Sequence, residues 1–148
     1  MLQEKITALF SDVVFEENSQ WPTMLIASDQ WRSVAEILRS NNDLNFDYLF
    51  CVTAVDWKTH ITMVYHLEST FYRHILVVKA KIENRDNAKI ATVSDLWRTA
   101  ELNEREAYDL MGVHFKYHPD LRRLFLTEDW VGWPLRKDYD DPINMIKL

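Results

Sequence analysis

Between Glu104 and Pro142 the run EREAYDLMGVHFKYHPDLRRLFLTEDWVGWPLRKDYDDP holds both glycines of the chain (Gly112, Gly132) and three of its four prolines (Pro119, Pro134, Pro142). Glycine permits positive φ and proline removes a backbone donor, so a segment punctuated this way bends repeatedly. A charged helix stops at Gly112, and the residues beyond it are ill suited to a long helix or a central strand. The same run contains four arginines and two tryptophans among Tyr, Phe and Leu, which is not the low-hydrophobicity composition of disorder. The expectation is a core domain over 1–111 followed by an irregular arm over 112–148. That arm gains its order by lying on a surface, either of its own domain or of a partner.

Upstream, Leu2, Ile6, Leu9 and Phe10 recur at helical spacing and predict a short helix over 2–10. Short apolar runs at 13–16 and 23–27 flank a turn at Asn18–Pro22 and read as strands. Ser28 or Asp29 is placed to cap a helix whose Trp31, Val34, Ala35 and Leu38 form one apolar stripe. The nearly continuous apolar run from Phe46 to Val55 has the pattern of a strand buried on both faces. After a turn at 56–59, the alternation of Ile61, Met63, Tyr65 and Leu67 predicts an antiparallel partner, and 74–82 a further strand. Residues 82–91 read as a polar connection. Ser94 is placed to cap a helix carrying Leu96, Trp97 and Ala100, and Asn103 with Glu106 resembles a capping box, so 94–111 is one helix or two. The order predicts an α+β fold, a mixed or antiparallel sheet of about five strands with helices packed on it, then an extended irregular C-terminal arm.

The chain has 148 residues and a formal net charge of −6. That length suits one domain burying roughly two-thirds of its unfolded surface, and the charge argues against nucleic acid as the main partner. No apolar run approaches the roughly 20 residues of a transmembrane helix, and the N-terminus lacks the pattern of a signal peptide. The single cysteine, Cys51, excludes an internal disulfide and holds no iron–sulfur cluster alone, which fits a reducing, cytoplasmic setting. Its place in the most apolar strand reads as a small buried hydrophobe rather than a reactive thiol.

The inventory of enzyme chemistry is empty. Glu104 and Glu106 project roughly 200° apart on a helix of about 100° per residue, so they do not flank one bond. Arg105 and Asp109 share a helix face at the spacing of a stabilising pair. His114 and His118 are four apart, but Gly112 and Pro119 argue against the helix that would align them on a metal. His66 alternates with apolar neighbours and reads as a satisfied, half-buried residue. With two glycines in all there is no phosphate-binding loop and no nucleophile elbow. In the arm, Arg122-Arg123 and Arg136-Lys137 are basic islands, each followed by acidic residues. They are either solvated loops with weak internal ion pairs or, with Trp130, Trp133 and Tyr139, anchors of a protein interface.

The ordered blocks Glu104-Arg105-Glu106, Tyr108-Asp109-Leu110-Met111-Gly112, His118-Pro119-Asp120-Leu121-Arg122-Arg123, Asp129-Trp130, Gly132 and Pro134-Leu135-Arg136-Lys137-Asp138 resemble the hallmark segment of a known family. That family is the 30 kDa subunit, or C subunit, of respiratory complex I, the proton-translocating NADH:quinone oxidoreductase. Phe46-Asp47-Tyr48-Leu49, Thr53-Ala54-Val55-Asp56, Val64-Tyr65-His66-Leu67 and Val93-Ser94-Asp95-Leu96-Trp97 extend the resemblance over nearly the whole chain. It departs where Tyr139 is followed by Asp140-Asp141 before Pro142.

The resemblance implies a cofactor-free subunit of the hydrophilic arm, peripheral on the cytoplasmic face of the inner (plasma) membrane. It implies packing beside the quinone-site subunit and the iron–sulfur subunits, with flavin, clusters and quinone on those partners. The isolated chain would be non-catalytic, with no catalytic, cofactor-binding or metal residues. Interface candidates are then Glu104, Arg105, Glu106, Asp109, His118, Arg122, Arg123, Trp130, Trp133, Arg136, Lys137 and Asp138. Two alternatives stand beside it. One is the equivalent subunit of a membrane-bound [NiFe] hydrogenase or an F420 or quinone oxidoreductase. The other is a free-standing small-molecule enzyme built on the acidic helix.

Overall fold

The computed structural model describes residues 1–146. In chain order the elements are α1 (Leu2–Leu9), β1 (Val14–Phe15), β2 (Thr23–Ala27), α2 (Trp31–Ser40), β3 (Tyr48–Asp56), β4 (Ile61–Ser69), β5 (His74–Ile82), β6 (Lys89–Ala91), α3 (Ala100–Met111) and β7 (His114–Lys116). The first five strands form one sheet in the order β1-β2-β5-β4-β3, as the α+β pattern predicts. Only the β2–β5 pair is parallel, which makes the sheet mixed. Its parallel join is a long crossover through α2 and the β3–β4 hairpin, because parallel neighbours cannot be linked by a tight turn.

The sheet's centre is β4 and β5. Ile61, Met63, Tyr65 and Leu67 on β4, with Leu76, Val78, Ala80 and Ile82 on β5, point to one face and are buried. Against them lies α2, whose Trp31, Val34, Ala35 and Leu38 fall at the i, i+3, i+4, i+7 positions of a single stripe. Trp31 stacks on Tyr65 with ring centroids 4.2 Å apart, and Trp97 extends the stack. The Trp97 indole N–H donates to Phe46 O at 2.9 Å, tying the approach to α3 onto the start of the third strand. The helix α3 packs chiefly on β3. No helix among the described residues is long and apolar enough to cross a membrane.

Several local expectations are corrected. The run 46–55 is not a strand buried on both faces. β3 is the sheet's edge and alternates, with Leu49, Val52 and Asp56 inward and Tyr48, Phe50 and Thr53 exposed. Its apolar density reflects one face under α3 and another facing outward. Cys51 is consequently half-buried. Cys51→Ser should therefore change the unfolding free energy by less than about 1 kcal/mol, since the hydroxyl reaches solvent. Chemical denaturation of the two proteins checks this, and a loss of several kcal/mol would return the thiol to the core.

Ser28–Gln30 form a 3-10 turn rather than a side-chain cap before α2. The last helix starts at Ala100, not Ser94, and Asn103 lies inside it, donating to Thr99 O instead of forming a capping box. The polar connection 82–91 contains β6, which pairs in parallel with β7. Hence the chain does not leave the domain at Gly112: Val113 and Phe115 belong to the hydrophobic core. His66 is half-buried against Trp21 and Phe50, but its Nδ1 finds no partner among the described residues. Burial and Lys79 hold its pKa below the ordinary histidine value.

Candidate functional site

Good helix formers carry α3 from Ala100 to Met111, and Gly112 ends it in the left-handed conformation at φ 73°. A Cβ on Gly112 would also lie 2.7 Å from the Trp133 indole, so the position needs glycine for both conformation and space. The arm thus folds back over the end of the helix that precedes it. The charged residues of α3, which sequence alone would leave on a solvated face, are what hold it there.

Asp109 has no exposed surface. Its Oδ2 accepts the backbone N–H groups of Leu124, Phe125 and Leu126 at 3.0, 2.6 and 3.1 Å, and its Oδ1 accepts Arg123 at 3.0 Å. Burial alone would raise its pKa. The three N–H donors and the guanidinium outweigh that and hold the carboxyl below its ordinary value. Arg123, only 9% exposed, also donates to Asp109 O, Trp130 O and Gly132 O, all within 3.0 Å. Its guanidinium lies 4.6 Å from the Trp133 ring centroid. One arginine therefore closes the loop 123–132 on itself and onto the helix.

Arg105 does not pair with Asp109, although their spacing permits it. It donates instead to Arg122 O and Arg123 O across the fold. Arg136 donates to Met111 O at 2.7 Å, one of the carbonyls left unpaired at the helix end. Farther along, the arm meets the tip of the β3–β4 hairpin. Asp56, buried at the end of β3, accepts two bonds from Arg85 at 2.6 and 2.7 Å, and the N–H groups of Lys58 and Lys137. Arg85 also reaches Asp138. The Arg85 guanidinium, above all, holds the Asp56 carboxyl far below the usual aspartate range, against the opposing effect of burial.

The structure thus divides the sequence-derived interface candidates. Glu104, Arg105, Asp109 and Arg123 are buried within this chain's own fold. His118 is half-buried, bridging Glu101 O and the Asp120 N–H. Trp130, Trp133 and Arg136 are half-buried, while Glu106, Arg122, Lys137 and Asp138 are exposed. Among the described residues Arg122 pairs with neighbouring Asp120, both partners being about half exposed. The basic island Arg122-Arg123 is split: Arg123 is drawn inward onto Asp109 and the carbonyls of Trp130 and Gly132, while Arg122 stays at the surface beside Asp120. Asp56 and Arg85 are absent from the sequence-derived set. Asp56 stands beside a turn, and nothing local marks Arg85 as its partner 29 residues away. No group of three or more His, Cys, Asp or Glu able to hold a metal occurs among the described residues.

The domain thus binds its own C-terminal arm through the buried Asp109–Arg123 pair and presents the arm's outer side. The family model for the respiratory-chain NADH dehydrogenase 30 kDa subunit matches residues 24–143, and the chain belongs to that family. The C subunit of a NADH-quinone oxidoreductase from Chlorobium phaeobacteroides is 40% identical over 136 residues, covering 88% of this chain and 81% of that one. The C/D subunit from Phocaeicola vulgatus is 46% identical over 114 residues, 76% of this chain, and the match spans only 22% of that longer relative. Among solved structures, a chain of an archaeal membrane-bound sulfane sulfur reductase superposes with a TM-score of 0.79 at 27% identity, covering 94% of this chain and 84% of that one.

Proposed function

We propose that this chain is a structural subunit of a proton-translocating NADH:quinone oxidoreductase, carrying no redox centre of its own. It sits in the hydrophilic arm, peripheral to the cytoplasmic face of the membrane, beside the quinone-site subunit and the neighbouring iron–sulfur subunits. The observation that carries this reading is family membership over 24–143, which includes the whole anchored part of the arm. Support comes from what the anchoring leaves outside. With Asp109 and Arg123 holding the arm from within, Phe125 (66% exposed), Val131 (86%) and Leu135 (60%) stay on its surface. Exposed large apolar side chains grouped on one segment suit a protein interface.

The contribution to turnover is positional. A preformed arm loses little conformational freedom on docking, so more of its contact energy goes into holding neighbours in register. Electron transfer between centres on those neighbours depends steeply on their separation, and a rigid spacer keeps it constant. The likeness to the sulfane sulfur reductase chain supports a second reading, the equivalent subunit of a related membrane-bound oxidoreductase such as a [NiFe] hydrogenase or an F420 or quinone oxidoreductase.

Purification of the native complex through a tag on this chain, in mild detergent, separates the readings. Co-purification of flavoprotein and NADH-oxidising subunits is expected. A hydrogenase or sulfur-reducing module in their place would transfer the assignment to the second reading, and recovery of the chain alone would overturn both.

A further inference from the structure

Glu104 takes no part in holding the arm, yet it has no exposed surface. No cation lies within ion-pair distance of it among the described residues. The basic group that acts on it is Arg32 of α2, and that guanidinium is already engaged by Asp95, Glu36 and Thr92 O. Asp95, on the loop before α3, adds negative charge on the same side. From β4 the facing group is Tyr65, whose buried hydroxyl has no partner among the described residues. A carboxylate so placed is costly when ionised.

Its two oxygens are nonetheless fully engaged. Oε1 accepts the Val93 N–H at 2.9 Å, and Oε2 lies 2.6 Å from Thr92 Oγ1. Thr92 Oγ1 is also 2.9 Å from Ser94 Oγ and accepts the Ser94 N–H. A hydroxyl has one proton to donate, so the chain Glu104–Thr92–Ser94 runs in either of two directions. With Glu104 ionised, Thr92 donates to the carboxylate. With Glu104 protonated, its O–H donates to Thr92, and Thr92 donates to Ser94. Both states keep every group bonded, and only the second removes the uncompensated charge. Thr92 and Ser94 line a surface cavity of about 540 Å³ together with Arg32 and Asp95, so water reaches the outer end of the chain.

We propose that Glu104 is a buried proton-binding site, loaded from that cavity through the Thr92–Ser94 hydroxyls, whose occupancy fixes the 92–94 loop to α3. Uptake converts the carboxylate and a hydronium ion from the cavity into the acid and water. Loss of the proton leaves between loop and helix a charge that is hydrogen-bonded but, among the described residues, has no cation beside it, and favours their separation. Burial, above all, pushes the Glu104 pKa up to about 7, against the Thr92 and Val93 hydrogen bonds that lower it. The folded chain therefore holds a proton where the unfolded chain, at the ordinary value of 4.5, has lost it, and stability falls as pH rises between these values. His66, whose pKa burial and Lys79 hold below the ordinary histidine value, acts in the opposite sense over part of that range, so the comparison must be made at Glu104 itself.

The test uses the purified full chain, wild type and Glu104→Gln, with thermal and denaturant unfolding between about pH 5 and 9. Glutamine reproduces the protonated form: its oxygen accepts Val93 N–H and its amide donates to Thr92. The ratio of the two unfolding constants should change on the order of a hundredfold across the interval, one pK unit being tenfold, with Glu104→Gln the less pH-dependent. Parallel profiles would overturn the proposal. An isotope-edited infrared measurement of the glutamate carboxyl band needs no Glu104 variant. One buried acid should titrate near neutrality in the wild type, and at higher pH in Thr92→Val, where the ionised form loses a donor. A band that is absent at mildly acid pH, or unmoved by Thr92→Val, would sink the assignment.

Discussion

Arg123→Ala should lower the unfolding free energy of the chain by about 3–5 kcal/mol, the range for stripping one partner from a buried ion pair. The substitution leaves Asp109 buried with its charge, strands Trp130 O and Gly132 O, and removes the guanidinium from the face of Trp133. At roughly 2–4 °C per kcal/mol for a chain near this size, the melting temperature should drop by about 10 °C. Arg122→Ala, one residue away, should stay within about 0.5 kcal/mol, because its pair with Asp120 is half exposed and salt-screened. The two single variants, melted side by side, decide the matter. Equal effects would mean that Arg123 does not hold the arm from within. Arg122, facing outward, is also the one whose loss should be felt in assembly rather than in folding.

Asp56→Ala should cost about 3 kcal/mol or more at neutral pH, since Arg85 is left mostly buried and the Lys58 and Lys137 N–H groups lose their acceptor. Asp138 moderates the loss by retaining its own bond to Arg85. The same carboxylate sets an acid limit. Its folded pKa lies well below the unfolded value of 3.8, so its contribution is complete above that value and is lost as pH falls through and below it. Acid unfolding of the wild type should accordingly be steeper below about pH 4 than that of Asp56→Ala. An unchanged acid limb would show that Arg85 and Lys137 reach the hairpin without this carboxylate. Because Asp56 joins residues about eighty apart, its loss should also raise hydrogen exchange at Lys137, far along the chain.

Much of the fold is legible in the sequence because it rests on periodicity, which is local. The stripe of α2 and the alternation of β4 carry their burial in their own spacing. The two glycines and the prolines mark where the chain must turn, since those constraints act at single residues. β3 escapes this logic. A continuous apolar run reads the same whether helices cover both faces or one face awaits a neighbour, and only the sheet order places it at an edge.

The charged residues are where local reading fails furthest. Arg105 and Asp109 have the spacing of a helical pair, yet each bonds to the arm instead, because the arm brings backbone carbonyls and N–H groups that satisfy them better than each other. Arg122 and Arg123 are indistinguishable as neighbours in a sequence and opposite in the fold. By itself, the sequence determined the family and the α+β order of elements, both set by short-range pattern. Which charges lie inside was decided by the tertiary structure alone. Burial of an ion is acceptable only where partners from distant segments converge on it, and no local pattern encodes that convergence.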